Sequence, residues 1–150
     1  MNNLRASLHI FLASVFGASA FASIFFSTPV SAQDLNTDIA VDGTNVHIIL
    51  IPLDYSCQKN APIQLGRLFC IRVVPQTTDQ LWLNDFKVVR FDAVMPEHRH
   101  GMVTRAIVKA EAKHEYLIKG VKLHMPGNWE FKLDLMHGKS TAQVAIPMKL

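Results

Sequence analysis

The clearest pattern of apolar and polar positions lies near the C-terminus. In "WEFKLDLM", apolar residues occupy every second position from Trp129 to Leu135, and charged residues lie between them. Successive side chains of a strand point to opposite faces, so this period of two predicts a half-buried β-strand. "HGKS" (137–140) then has the composition of a turn, and "TAQVAIPMKL" (141–150) predicts the returning strand of a hairpin.

Five β-branched or alternating runs precede this hairpin and predict five more strands. Turn-forming residues separate these runs, which cover 45–53, 67–75, 86–94, 102–110 and 114–125, with a bulge expected at Gly120. The Ala- and Lys-rich "AIVKAEAKHEY" is also compatible with a short helix, although its β-branched start favours a strand. Seven short strands predict an all-β fold, an antiparallel β-sandwich of the immunoglobulin-like type. The predicted core residues are Ile48, Leu50, Phe69, Ile71, Phe91, Ile107, Leu123, Trp129, Phe131, Leu133 and Val144.

The first 32 residues have the features of a targeting segment. Arg5 is their only Lys or Arg, no acid occurs before Asp34, and the run is rich in Ala, Phe, Ile and Leu. Val30 and Ala32 are small residues at the spacing of a cleavage site, which predicts a signal peptide over residues 1–32. The alternative is an uncleaved membrane anchor, because the apolar run approaches the ~20 residues that cross a bilayer. Both interpretations place the rest of the chain in the periplasm or another extracytoplasmic space.

The 118 residues from Gln33 to Leu150 are enough for one domain. Polar residues 33–43 predict a flexible leader, and residues 44–150 predict the sandwich. The net charge of the chain is +3, which falls to +2 without Arg5, and no basic run is present. So slight an excess does not indicate nucleic-acid binding. Attachment to a membrane is expected only if the targeting segment is retained.

Sequence motifs of common catalytic sites are absent. The chain has no P-loop, no GxGxxG and no HExxH. Ser140 lies near His137 in a predicted hairpin but has no acid or oxyanion context in the sequence, so a hydrolase is not indicated. His47, His114 and His137 are scattered and are expected to face solvent. We therefore expect a protein that is not an enzyme.

Cys57 and Cys70 are the only two cysteines of the chain. In an oxidising compartment such a pair forms a disulfide more often than it remains as two thiols. Closure of a loop of about 14 residues stabilises a fold by roughly 3 kcal/mol in the chain-entropy model. A metal site made of cysteines alone does not fit this number and spacing.

The segment "VMPEHRHGM" (94–102) concentrates candidate metal ligands in a predicted loop. It contains Met95, His98, His100 and Met102, with Glu97 as a candidate acceptor for an imidazole N–H. A second loop, "HMPGN", contributes His124 and Met125. If the strands before and after are antiparallel neighbours, both loops lie at one pole of the sandwich.

Thioethers favour Cu(I), and imidazoles bind Cu(I), Cu(II) and Zn. A mixed Met/His set outside the cytoplasm therefore predicts copper, with three or four ligands drawn from the six residues Met95, His98, His100, Met102, His124 and Met125. A loose thioether and imidazole site can hold and release an ion, so the predicted role is copper chaperoning.

A structural interpretation of the same residues stands beside the metal interpretation. Pro126 and Gly127 suit a type II turn, and Pro96 and Gly101 bracket a tight loop. Methionines in such corners also fill gaps at the end of a core. A third interpretation is that these loops contact a non-metal ligand or a partner protein. Trp82, in the loop "DQLWLND", is then either an exposed contact residue or a cap on the core.

The two loops together resemble those of the YtkA-like domain family. The matching positions of the first loop are Met95, Pro96, His98, His100 and Gly101, and those of the second part are Tyr116, Gly120, Met125, Pro126, Gly127 and Trp129. The resemblance covers roughly residue 67 to the C-terminus and implies a small extracytoplasmic bacterial domain with an immunoglobulin-like sandwich. It implies no enzymatic activity, and it suggests copper handling or the assembly of respiratory complexes. The alternative to copper binding is thus a metal-free accessory domain that docks onto an envelope or respiratory protein complex.

Overall fold

The computed structural model describes residues 35–111 and 114–150, and these form a β-sandwich. The strands are β1 (Asn36–Val41), β2 (Thr44–Leu53), β3 (Leu68–Gln76), β4 (Phe86–Met95), β5 (His100–Gly101), β6 (Ile107–Ala110), β7 (Tyr116–Lys122), β8 (Asn128–His137) and β9 (Ser140–Lys149). Short 3-10 helices cover Trp82–Asp85 and Pro96–His98. No helix in the described part of the chain is long and apolar enough to span a membrane. The predicted signal peptide lies outside the described residues.

The order of the strands is that of an immunoglobulin-like domain. One sheet has the order β1-β2-β3-β7-β6 and the other has β5-β4-β8-β9, and every strand pairing is antiparallel. Strands β2-β3-β7-β6 and β4-β8-β9 correspond to the ABED and CFG sheets of the constant-type immunoglobulin fold. Strands β1 and β5 are additions at two sheet edges. The predicted fold class is therefore confirmed.

The alternating strand predicted at the C-terminus forms the centre of the core. Trp129, Phe131, Leu133 and Leu135 of β8 are all at most 1% exposed. Their side chains pack between the sheets, where the aromatic rings of Phe131 and Phe91 meet edge to face at 5.3 Å. Ten of the eleven predicted core residues are buried. Ile107 is the exception, since its position on the edge strand β6 leaves it 56% exposed.

Two segments differ from the prediction. The expected leader 33–43 contains β1, which pairs with β2 from Asn36 opposite Ile49 to Val41 opposite Thr44. Asp42 and Gly43 have φ values of 51° and 76°, which suit the tight turn of a two-residue hairpin. The predicted leader is thus wrong from Asn36 onwards, because an edge strand buries only one face and three of the six residues of β1 can therefore be polar.

The predicted strand 102–110 is divided. His100 and Gly101 pair with the end of β4 in one sheet, and Ile107 begins β6 in the other sheet. The chain crosses between the sheets over residues 102–106. Glycines accommodate this crossing, since a Cβ on Gly101 would lie 3.1 Å from the carbonyl oxygen of Ala93 and one on Gly120 would lie 3.1 Å from that of Arg105.

The predicted disulfide is present and closes the loop after β2. Cys57 and Cys70 are bonded across 13 positions of sequence, with their Cα atoms 5.3 Å apart. Cys57 has a positive φ of 62°. The carboxylate of Asp54 supports this turn by accepting hydrogen bonds from the Ser56 hydroxyl and the Gln58 N–H.

A cluster of side chains connects the hairpin turns of the two sheets at the pole opposite the candidate site. Asp42 accepts hydrogen bonds from His137 at 3.0 Å and from the Ser140 hydroxyl at 3.2 Å. The His137 ring stacks on Trp82, with centroids 4.0 Å apart. His137 was expected to face solvent, but its side chain is only 14% exposed, and Trp82 caps the core. Ser140 does have an acidic neighbour, which contacts its hydroxyl directly.

Candidate functional site

The two loops with candidate ligands meet at one pole of the sandwich. The first loop follows β4 through Pro96–His98, and Arg99 with a φ of 54° turns the chain back into β5. The second loop, residues 123–127, joins β7 to β8. Val94 near the end of β4 pairs with Glu130 near the start of β8, which brings the two loops together. The predicted co-location of the loops is confirmed.

Three imidazoles form a row where these loops meet. The ring centroids of His98 and His100 are 5.8 Å apart, and those of His100 and His124 are 5.3 Å apart. Trp129 is 1% exposed and lies against them, with its ring nearly perpendicular to that of His100 at 6.2 Å and to that of His124 at 5.7 Å between centroids. We call His98, His100 and His124 the histidine cluster. It has an apolar aromatic floor and a solvent-exposed end at His98.

The nitrogen atoms of the two inner histidines differ in their partners. His100 Nδ1 lies 3.2 Å from the carbonyl oxygen of Gly101, an arrangement in which Nδ1–H donates and Nε2 is left as a potential ligand. His124 Nδ1 is buried and has no hydrogen-bond partner in the described part of the structure. A buried polar atom without a partner costs about 1–3 kcal/mol, so a ligand at this nitrogen would relieve a real penalty.

Hydrogen bonds hold the two loops in position. The Trp129 indole N–H donates to the Met125 carbonyl at 3.0 Å and so fixes the second loop onto β8. Asn128 donates its side-chain amide to the Glu97 carboxylate at 3.1 Å and connects the second loop to the first. Glu97, the candidate acceptor for an imidazole N–H, instead contacts Asn128. Asn128 carries no metal-site signal in the sequence, where Trp129 marks the core face of a strand and is one of the positions of the family resemblance.

The methionines of the predicted ligand set belong mainly to the core. Met95 is 1% exposed, and its Cε occupies the space beside Gly127, 2.9 Å from where a Cβ would lie. Met102 and Met125 are partly buried and pack against the same core. The structure thus gathers the three histidines, while Met95 fills a corner of the core as the structural interpretation expects.

The spacing of the rings is compatible with a shared ion, although the side chains do not converge on one. Two imidazoles bound to one ion through bonds of about 2 Å have their ring centroids roughly 5 Å apart, close to the 5.3 Å between His100 and His124. Within residues 35–111 and 114–150, no three His, Cys, Asp or Glu side chains are arranged to hold a metal ion as they stand. Binding by three imidazoles therefore requires at least one ring to rotate, and exposed His98 is the ring with the most freedom to do so.

The fold and this pole define an immunoglobulin-like β-sandwich with a histidine cluster between two loops. Comparison of the chain with models of protein families, with curated proteins and with solved structures gives no match.

Proposed function

We propose that this domain is an extracytoplasmic, non-enzymatic copper-binding domain, and that the histidine cluster is its binding site. The observation that carries the proposal is the row of three imidazoles with a buried, unpartnered nitrogen on His124. The Cys57–Cys70 disulfide supports an oxidising compartment, where thiol ligands are not expected to remain available.

Copper is favoured over zinc by the thioethers of the same loops. Met102 and Met125 are partly buried, and each follows a histidine of the cluster closely in sequence. Soft thioether ligands select Cu(I), which also accepts two or three imidazoles. The exposed position of His98 leaves one side of the site open. An open site of this kind suits delivery of an ion to another protein better than permanent storage.

A titration of the purified protein with Cu(I) tests the proposal. Ascorbate keeps copper reduced under anaerobic conditions without the use of thiols, so the disulfide is preserved, and a competing chelator reports the affinity. We expect one ion per chain, bound more tightly than about micromolar. Binding should be lost in His98→Ala/His100→Ala and in His124→Ala.

His47→Ala is the matched control, because His47 lies on β2 and pairs with Asp38 rather than with the cluster. Circular dichroism of each variant verifies its fold. Copper binding that persists without the cluster, or no binding by the wild type, would contradict the proposal. Loss of binding in the His47 variant as well would indicate nonspecific coordination.

A second candidate function is a metal-free accessory domain that docks onto an envelope or respiratory protein complex. The observation that favours it is apolar exposure at the same pole, where Tyr55 is 82% exposed, Leu65 48% and Leu68 52%. The Gly66 N–H donates to the Leu123 carbonyl, which places this loop beside the second ligand loop. The resemblance to YtkA-like domains is compatible with both functions. Docking predicts that capture of a defined envelope complex survives His98→Ala but is lost in Tyr55→Ser.

A further inference from the structure

In the part of the chain that the structure describes, strand β4 has no pairing partner on one side along most of its length. On one side β4 pairs with β8 from Phe86 to Val94, and on the other side only Val94 and Met95 pair, with β5. Just before that short pairing, the Ala93 carbonyl accepts from the Met102 N–H and the Ala93 N–H donates to the Asp92 carboxylate. Within residues 35–111 and 114–150, no strand therefore pairs with residues 87–92 on this side. At about 3.3 Å per residue, this edge is roughly 20 Å long.

A cavity of about 740 Å³ lies along this edge, between β4 and the chain that crosses to β6. Its β4 wall is Val89–Asp92, and the opposite wall comes from Met102 and residues 104–106 and 108. Phe91 is buried, while Val89 is 57% exposed. The groove thus combines unpaired main-chain groups with a lining of apolar and charged side chains, and an added β-strand uses main-chain groups for affinity and side-chain contacts for specificity.

The charged side chains of the groove favour an acidic occupant. Arg90 and Arg105 line it together with one acid, Asp92. Asp92 lies 3.4 Å from Arg90, so one basic charge is partly balanced. Arg105 has no ion-pair partner within residues 35–111 and 114–150. Arg105 is exposed, so a ligand carboxylate can reach it and form an ion pair.

We propose that the open edge of β4 accepts an extended peptide segment of a partner protein, in which apolar side chains alternate with acidic ones. Main-chain hydrogen bonds to residues 87–92 hold the segment. Its apolar side chains face the side of the groove where Phe91 is buried, and its carboxylates face the solvent side, where Arg90 and Arg105 are exposed. None of the three histidines of the cluster lines the groove, although Met102 does, so the test is run on metal-free protein and does not depend on copper binding.

The test uses an acetylated, amidated octapeptide of alternating Val and Glu, with binding followed by amide chemical shifts of the labelled protein. We expect saturable shifts concentrated at residues 87–92. A Val/Lys peptide should bind at least tenfold more weakly. A Val/Glu peptide that is N-methylated at alternate residues should lose binding, because its N–H groups can no longer pair with the strand edge.

Two variants with the same change of charge distinguish an ion pair with Arg105 from a general attraction between the peptide and the charge of the protein. Arg105→Glu should reverse the preference between the Glu and Lys peptides, whereas Lys109→Glu, on β6 but outside the groove lining, should leave it in place. The proposal is overturned if no peptide binds, if the N-methylated peptide binds as well as its parent, or if both variants behave alike. It is also overturned if sedimentation shows a dimer and the amide shifts of residues 87–92 change on dilution, because a second copy of the chain then occupies the edge.

Discussion

Gly127 is the position where a single methyl group tests the packing of the candidate site. Its φ is +130°, and an added Cβ would lie 2.9 Å from Met95 Cε. Its N–H and C=O are both engaged with Leu150, at 2.9 and 3.0 Å, so the loop cannot easily shift to relieve the contact. Gly127→Ala is therefore expected to destabilise the domain through both its backbone and its side chain.

The expected decrease in the free energy of unfolding of Gly127→Ala has two parts, which can be measured separately. The unfavourable backbone conformation costs about 1–3 kcal/mol. The contact with Met95 adds about 1 kcal/mol, at the low end for overpacking, because the atom that must move ends a flexible side chain. The total is a loss of about 2–4 kcal/mol in the free energy of unfolding. Gly43→Ala is the control for the backbone part, since its φ is +76° with nothing within 4 Å of the added Cβ, and it should cost about 1–2 kcal/mol.

Urea denaturation of a double-mutant cycle measures the contact itself. Met95→Leu removes Cε at a cost of about 1 kcal/mol. In that background the penalty of Gly127→Ala should fall by about 1 kcal/mol, a coupling larger than the error between independent sites. The reasoning is refuted if Gly127→Ala costs no more than Gly43→Ala, or if its penalty is the same with Leu at position 95.

Three further predictions concern other parts of the fold. Replacement of Cys57 and Cys70 by Ala should lower the free energy of unfolding by about 3 kcal/mol, measured by urea denaturation without reductant. Tyr116→Phe should cost about 1–3 kcal/mol at neutral pH, because its hydroxyl donates to a buried backbone carbonyl. Burial raises the pKa of Tyr116 above its ordinary value of 10.0. The Tyr116 hydroxyl therefore stabilises the fold below pH 10, and this stabilisation is lost as the pH rises further. Above pH 10 the free energy of unfolding should fall more steeply for the wild type than for the Phe variant. His137→Ala should lower the free energy of unfolding by about 1–2 kcal/mol and change the near-ultraviolet circular dichroism of Trp82, because the stacked ring is removed. His137→Phe should retain most of the stacking and most of the stability. Equal losses of stability in the two variants would contradict this.

Periodicity predicted most of the strands and the sandwich, because alternation directly reports which face of a strand is buried. The alternation from Trp129 to Leu135 is the clearest case. Alternation could not predict β1, because Val41 is the one buried residue of that strand. The other residues of β1 are held by their pairing with β2. Nor could it show that residues 102–106 leave one sheet for the other. Local propensity carries no information about which sheet a β-branched segment joins.

The candidate site was predictable in its position but not in its composition. The antiparallel order of strands brings the loops of His100 and His124 together, and that order follows from the strand pattern. The separation of Met95 from the histidines depends on a contact with Gly127, 32 positions away in sequence. The stacking of His137 on Trp82 is likewise set by tertiary structure, which a single sequence does not reveal.

The histidine cluster spans the two sheets, and this has a consequence for folding. His98 and His100 extend from the end of β4 in one sheet, while His124 follows β7 in the other. The disulfide, in contrast, ties a loop back to its own sheet. An ion held by both loops, as proposed, would act as a reversible crosslink between the sheets, worth about 2.7 kcal/mol when its free concentration is a hundred times the Kd. By the same linkage, a partner protein that pulled the sheets apart at this pole would weaken the binding of that ion and promote its release.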